Sequence, residues 1–351
     1  MITHQCLNIK QSGFKAIFKV AKPSSCYTAA KFNVIHIYKF MSQQQSYIPG
    51  EFQWEFLLPK YWKIWIAISF LMLLAILPWA IQWRLAHSLA ALCWHLLKSR
   101  RKTTLRNLEL CFPEWSPAEV EAQAKQVFVD MMLGVFETLN AWYCPKWFKG
   151  RHSIDGLEHI THAKAQGKGI LLLGTHSTLL DAGGYICAQY FEPDVVYRPQ
   201  NNPMLDMLIY RCRATIYQHQ IDHDDMRGLI RRLKDGGAIW YSPDQDFGLK
   251  QGVMAPFFGV PAATVTAHRR LLKISKSVAI PLYFYRYGDI RNPQYKVLIE
   301  PMVENMPSED EMDDAVRVNK IIEAQLRIAP TQWMWFHRRF KTRAEGYEKI
   351  Y

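Results

Sequence analysis

A histidine and a carboxylate five positions apart, His176 and Asp181, have the residue types and spacing for proton transfer. A neutral imidazole takes a proton from a hydroxyl near neutral pH. A carboxylate on its other nitrogen fixes the tautomer and stabilises the imidazolium that forms. The surrounding stretch, Gly169–Asp181, reads GILLLGTHSTLLD. Its apolar run Ile170–Leu173, led in by Gly167-Lys168-Gly169, reads as a buried parallel strand. Ser177 or Thr178 then caps a helix carrying Leu179, Leu180, Ala182, Gly183 and Gly184. Within one helix the two groups would point about 140° apart. At a strand-to-helix bend, Asp181 in the first turn reaches back to the imidazole. His176 then sits at the carboxyl end of a strand, where open α/β sheets place their chemistry. The sequence G-T-H-S-T is not a G-x-S-x-G elbow, so a covalent serine mechanism has little support. Taken alone, H-x4-D also describes a structural histidine.

Other strand ends carry polar residues that a core does not require. Arg198 follows the run Asp194–Tyr197, and Asn201, Asn202 and Pro203 then lead into a helix. Its two readings are substrate binding and an ion pair with an aspartate from the next strand end. That strand end, Ile239–Gly248, brings Asp244 and Asp246, which suit a metal, an oriented arginine or a capped turn. His219, Asp222, His223, Asp224 and Asp225 resemble a metal cluster, but they directly precede a helical pattern whose start favours acids, so capping is preferred. Near the C-terminus, Trp333–Arg343 interleaves aromatics with cations, Arg338 and Arg339 among them. Such a segment stacks on nucleic-acid bases or sits where a lipid chain meets a phosphorylated head group.

These residues need a scaffold, and 351 residues with 49% hydrophobic content supply one large α/β domain with an appendage, or two modest domains. A net charge of +12 directs attention to anionic partners. Residues 1–40 hold six lysines and no acid, so that segment carries half of the charge. With Met41 standing just downstream, residues 1–56 read as an extension from an upstream start codon or a disordered arm. The seven cysteines are scattered without a C-x-x-C pair, which implies neither zinc nor a disulfide framework. Ile64–Trp83 runs twenty residues without a charge, about 30 Å as a helix, flanked by tryptophans, Lys60, Lys63 and Arg84. Residues 57–84 therefore read as one transmembrane anchor, and the basic cluster Lys98–Lys102 places the remainder, 85–351, on the cytoplasmic side. The anchor decides the C-terminal segment for lipid rather than nucleic acid. Ser116-Pro117-Ala118-Glu119 marks a capped helix start. From Ile154 onward strands are expected at Gly169–Gly174, Asp194–Tyr197, Ala238–Ser242, Val278–Tyr287 and Tyr295–Glu300. Helices are expected at Glu158–Gln166, Leu179–Phe191, Pro203–Thr215, Asp224–Lys234, Ala262–Ser275 and Glu309–Ile328. This alternation describes an α/β domain with a mixed, mostly parallel sheet flanked by helices.

Taken together, Asn107–Pro113, the G-x-H-x4-D element, Tyr197-Arg198-Pro199, Tyr241–Gly248 and Met334–Arg343 resemble the lipid A acyltransferases of the Gram-negative inner membrane. The likeness runs in order from about Leu57 to Tyr351 and is more specific than any single motif. It implies a fold like that of glycerolipid acyltransferases behind one N-terminal hydrophobic helix, and a catalytic dyad on His176 and Asp181. The lauroyl branch is the most similar, although it often has Glu at the second position. The implied reaction moves a fatty acyl group from acyl carrier protein to a 3-hydroxyacyl chain of a Kdo-modified, phosphorylated glycolipid, with no metal or other cofactor. Arg198, Asp244, Asp246, Arg338 and Arg339 then become the candidate substrate-binding residues. Two alternatives remain: an acyltransferase for another phospholipid or glycolipid, and a membrane protein that binds anionic lipid without chemistry.

Overall fold

The computed structural model describes residues 49–351 apart from Ala344, Glu345 and Tyr347. The extension expected over 1–56 therefore falls almost entirely outside the described residues. Helices come first: α1 (Trp62–Ala75), α2 (Trp79–Leu96), α3 (Lys98–Cys111) and α4 (Pro117–Tyr143). Strands and helices then alternate through β1 (His152–Asp155), α5 (Leu157–Ala165), β2 (Ile170–Leu173), α6 (Leu180–Cys187), β3 (Pro193–Tyr197), α7 (Pro203–Arg213), β4 (Gln220–Asp222), α8 (Met226–Lys234) and β5 (Ala238–Tyr241). A hairpin of β6 (Gly252–Phe257) and β7 (Val260–Val265) precedes α9 (Ala267–Ser275), β8 (Val278–Tyr287), β9 (Gln294–Ile299) and α10 (Glu311–Ile328).

Among the described residues the main sheet has the order β1-β9-β8-β2-β5-β3-β4. Its pairings are parallel except that β9 runs antiparallel to β8. The α/β class and the mixed, mostly parallel sheet are thus as expected. Central β2 is buried on both faces: Leu171 and Leu173 join one core, Ile170 and Leu172 the other. That is why its sequence is continuously apolar rather than alternating. Helices α8, α9 and α10 and the first half of α4 cover the first face; α5 and α6 cover the second.

The start of α4 follows its sequence signal. The Ser116 hydroxyl accepts from the Glu119 amide at 3.3 Å and the Glu119 carboxylate accepts from the Ser116 amide at 2.7 Å, closing a capping box. The hairpin is a departure, because the sequence pattern predicts that Ala262–Thr266 opens a helix. Phe258 and Gly259 both have positive φ, at 49° and 75°, the conformation a tight two-residue hairpin turn demands. Glycine makes half of that turn inexpensive, and the Phe258 amide donates to Glu323 at 2.6 Å.

A second departure concerns the membrane segment. The twenty uncharged residues do not form one helix: α1 ends at Ala75 and α2 begins at Trp79. Pro78 has no amide hydrogen to continue the ladder, and it disfavours helical geometry at Leu77. Gln82 stabilises the break from within the apolar run. Its side-chain amide donates to the carbonyls of Ala75 at 3.0 Å and Leu77 at 2.9 Å, and its oxygen accepts from Asn140 at 2.9 Å. Helix α1 is therefore only about 21 Å long, and no described helix is long and apolar enough to cross a membrane. The single continuous helix expected over 57–84 is corrected to a broken pair of helices.

Candidate active site

The chain leaves β2 through Gly174–Thr178, and His176 stands at that exit as expected. Helix α4 crosses directly above: a Cβ on Gly134 would lie 2.3 Å from the Thr178 carbonyl oxygen, so only glycine permits the approach. On the far side lies the segment after α10. Trp333 bridges Ser177 in antiparallel fashion, the Thr178 amide donates to the Gln332 carbonyl at 2.9 Å, and the Met334 amide donates to the His176 carbonyl at 3.1 Å.

The carboxylate that meets His176 is Asp244, three residues past Tyr241, where the adjacent strand β5 ends. Its two oxygens hold the histidine twice: Oδ1 pairs with His176 Nδ1 at 2.5 Å and Oδ2 accepts from the His176 amide at 2.7 Å. The Trp333 indole N–H donates to the same Oδ2 at 2.6 Å. Asp244 is fully buried. Burial works against its charge, but the His176 ring and amide and the Trp333 indole outweigh it and hold the carboxyl at about 2. An ionised Asp244 only accepts, so His176 Nδ1 carries the proton and Nε2 keeps its lone pair in the neutral ring. Burial also disfavours a charged imidazole, yet Asp244 more than offsets it and raises the His176 pKa above its ordinary value. The ring is 29% exposed, and Nε2 has no hydrogen-bond partner among the described residues.

Asp181 does occupy the first turn of α6, but it does not reach the imidazole. Its carboxylate takes the Arg213 guanidinium, with Nε to Oδ1 at 3.0 Å and Nη2 to Oδ2 at 3.3 Å. A nearly buried carboxylate requires a charged partner, and the last residue of α7 supplies it. The expected His176–Asp181 contact is therefore corrected to two pairs, His176–Asp244 and Asp181–Arg213. They are close enough for the Arg213 charge to act on His176, pulling its pKa down.

The other candidates separate by burial. Asp244, expected to touch substrate, serves the histidine instead. Asp246 caps its turn, accepting from the amides of Gly248 at 2.9 Å and Thr342 at 2.6 Å. Arg339 is fully buried and donates to the Ala263 carbonyl at 2.5 Å and to Thr264 and Asn319, which removes it from any ligand. Arg338 is exposed over the Tyr351 ring. Arg198 is exposed and pairs with no carboxylate among the described residues, so the aspartate partner considered for it is not found. Asp222, His223 and Asp224 bring ligand atoms within 4.8 Å of one another at the surface, three strands away from β2. Asp225 beside them caps α8 through the Gly228 amide at 2.8 Å. Sequence reasoning alone does not find Arg213 or Trp333 as site residues. Trp333 adjoins the motif that begins at Met334; Arg213 leaves no signal beyond its place at a helix end.

The chain matches the family model described as bacterial lipid A biosynthesis acyltransferase over residues 50–342. It is 37% identical over 307 residues to a lipid A biosynthesis lauroyltransferase of Escherichia coli (strain K12), covering 86% of this chain and 98% of that protein. A lipid A biosynthesis palmitoleoyltransferase of the same organism is 34% identical with the same coverage. A lipid A biosynthesis myristoyltransferase from that organism is 27% identical, covering 86% of this chain and 93% of its own. With an aspartate-held histidine at a strand end and this match across most of its length, the chain belongs to the bacterial lipid A biosynthesis acyltransferase family.

Proposed function

We propose that this acyltransferase moves a fatty acyl group, lauroyl favoured, from acyl carrier protein to the hydroxyl of a 3-hydroxyacyl chain on Kdo2-lipid IVA. The observation that carries the reading is the His176 ring, held through Nδ1 by buried Asp244 with Nε2 left open. Nε2 takes the proton from the acceptor hydroxyl as its oxygen attacks the thioester carbonyl. The carbonyl oxygen gains negative charge, and Arg213, kept in place by Asp181, stabilises it electrostatically. Collapse breaks the carbon–sulfur bond, and the imidazolium returns its proton to the leaving thiolate. Ser177 is not a nucleophile in this scheme: it is buried, and its hydroxyl accepts from the Leu179 amide at 3.2 Å. Lauroyl is favoured by the 37% identity to the lauroyltransferase; the named relatives differ in the chain they transfer.

Exposed Arg198 and Arg338 are the cations assigned to phosphorylated acceptor. Helix α1 exposes Ile66, Phe70 and Leu73 at helical spacing. A 14-residue helix that packs one apolar side on the protein and leaves another exposed fits between the domain and the cytoplasmic surface of the inner membrane, and the basic start of α3 suits anionic lipid. Phe70→Glu is expected to weaken binding to anionic vesicles about tenfold without changing the far-UV spectrum, since an inserted Phe contributes about 1.5 kcal/mol. Unchanged vesicle binding would reject the membrane contact.

The decisive assay supplies labelled lauroyl-acyl carrier protein and Kdo2-lipid IVA and follows label into lipid. His176→Ala is expected to lower turnover by about 10²–10⁴ while the protein stays folded. Near-normal turnover rejects the base. Label appearing in glycerophospholipid instead identifies a different acceptor, and no label in any lipid leaves only binding.

A further inference from the structure

The segment after α10 does more than close the site from one side. It is clamped before and after Trp333. Upstream, the Gln332 side chain brackets Arg286: its amide donates to the Arg286 carbonyl at 2.8 Å and its oxygen accepts from the Arg286 amide at 2.8 Å. Arg286 is itself buried against Glu137 at 2.7 Å and against Asp130, and Thr331 donates to Asp130 at 2.5 Å. Downstream, the Asn107 amide donates to the carbonyls of Trp335 at 2.9 Å and His337 at 2.8 Å. Between these clamps the Trp333 ring is almost fully buried, packed edge-on against Trp335 at 4.6 Å between centroids. Its indole N–H meets the carboxylate oxygen that also receives the His176 amide.

We propose that Trp333 is a positioning residue for acyl transfer, fixing the Asp244 carboxylate so that Nε2 of His176 points at the acceptor hydroxyl. This rests on the proposed role of His176 and Asp244. A buried indole N–H needs some partner, but this one is spent on the only carboxylate that touches the base among the described residues. Among the described residues three donors reach Asp244: the imidazole, the His176 amide and the indole. The first two both belong to His176 and move with it. Only the indole, anchored from a separate segment, can hold the carboxylate independently.

The test uses the full-length enzyme with lauroyl-acyl carrier protein and Kdo2-lipid IVA. Trp333→Phe removes the N–H but shrinks the ring. Replacing Trp333 with 3-benzothienylalanine, in which sulfur takes the place of N–H, keeps the ring size and isolates the hydrogen bond. The expected result for the latter is a fall in kcat of about 10–100-fold, what one hydrogen bond to a charged group is worth, with KM nearly unchanged. With one donor fewer, Asp244 pulls harder on the imidazolium, so the rising limb of the kcat–pH profile moves to higher pH. Wild-type kcat, or a reduced kcat with an unmoved limb, would overturn the assignment and leave Trp333 as packing. His176→Ala run alongside separates the two levels. If it abolishes transfer while the benzothienyl enzyme matches wild type, only the Trp333 role fails; if it retains transfer, both fail.

Discussion

Two histidines in this molecule are held by the same clamp, and only one stands at the proposed active site. His176 gives its backbone amide and Nδ1 to Asp244; His219 gives its amide and Nδ1 to Asp194, at 3.1 and 2.9 Å. Both aspartates are fully buried. The difference lies in what else the carboxylate holds. Asp194 takes the Arg232 guanidinium at 2.6 Å, so a full cation already answers its charge. Asp244 takes a neutral indole, and its charge is left to act on the imidazole. Location differs as well: Asp194 lies at the start of β3, whereas His176 follows the end of β2, and both strands run parallel to β5. The two clamps therefore sit at opposite ends of the strands, with the proposed base at the carboxyl end. A histidine–aspartate contact is thus not by itself a catalytic signature; the second partner of the carboxylate and the end of the sheet decide.

Matched substitutions test that comparison most severely. Asp244→Asn is expected to lower kcat by about 10³–10⁴, because an amide no longer fixes the tautomer or stabilises the imidazolium. Asp194→Asn is expected to leave kcat near wild type and instead to cost about 3 kcal/mol of stability, since Arg232 loses its buried partner. Steady-state kinetics and denaturant unfolding of both variants read the two effects separately; equal kinetic losses would erase the distinction. The pH profile adds a direction. The base works as neutral imidazole, so kcat in the wild type rises through the His176 pKa, which Asp244 places above 6.5. Without the Asp244 charge, burial dominates and the residual activity of Asp244→Asn should rise at lower pH. A limb that stays in place would mean that Asp244 does not set it.

Much of this was legible in the chain. The continuous apolar run of β2 and the polar break after it locate His176, because a strand buried on both faces leaves no alternation to misread. The capping box at Ser116 places α4 for a similarly local reason. The partner of the base is what the sequence conceals. Local spacing favours Asp181, whereas the contact is made by Asp244, 68 positions away, and pairing of β2 with β5 is what brings them together. Arg339 misleads for the same reason: a cation in a basic run looks solvated until the carbonyl, Thr264 and Asn319 that surround it are in view. The broken helix pair is partly visible, since Pro78 and Gln82 lie inside the stretch, but the length of the uncharged run outweighs them. Strands β1 (HSID) and β4 (QID) are short and lack the continuous apolar run that marks β2.

A third histidine completes the series with the smallest expected effect. His268 in α9 is fully buried, and neither ring nitrogen has a well-formed hydrogen bond among the described residues. Burial lowers its pKa to about 4; the Asp314 charge opposes this, but Asp314 is already paired with Arg269 at 2.5 Å. Here no carboxylate is spent on the ring, so the ring stays neutral in the folded protein. Unfolded, the same side chain titrates near 6.5, so below that pH the unfolded chain binds a proton that the folded chain refuses. Stability is therefore lost as pH falls from about 6.5 to 4, by at most roughly 3 kcal/mol for this one group. His268→Leu should flatten that part of the stability–pH curve, measured by denaturant unfolding at several pH values. If wild type and variant decline in parallel, the buried ring is not the source, and acid sensitivity must be sought in Asp244, whose carboxyl His176 and Trp333 hold at about 2.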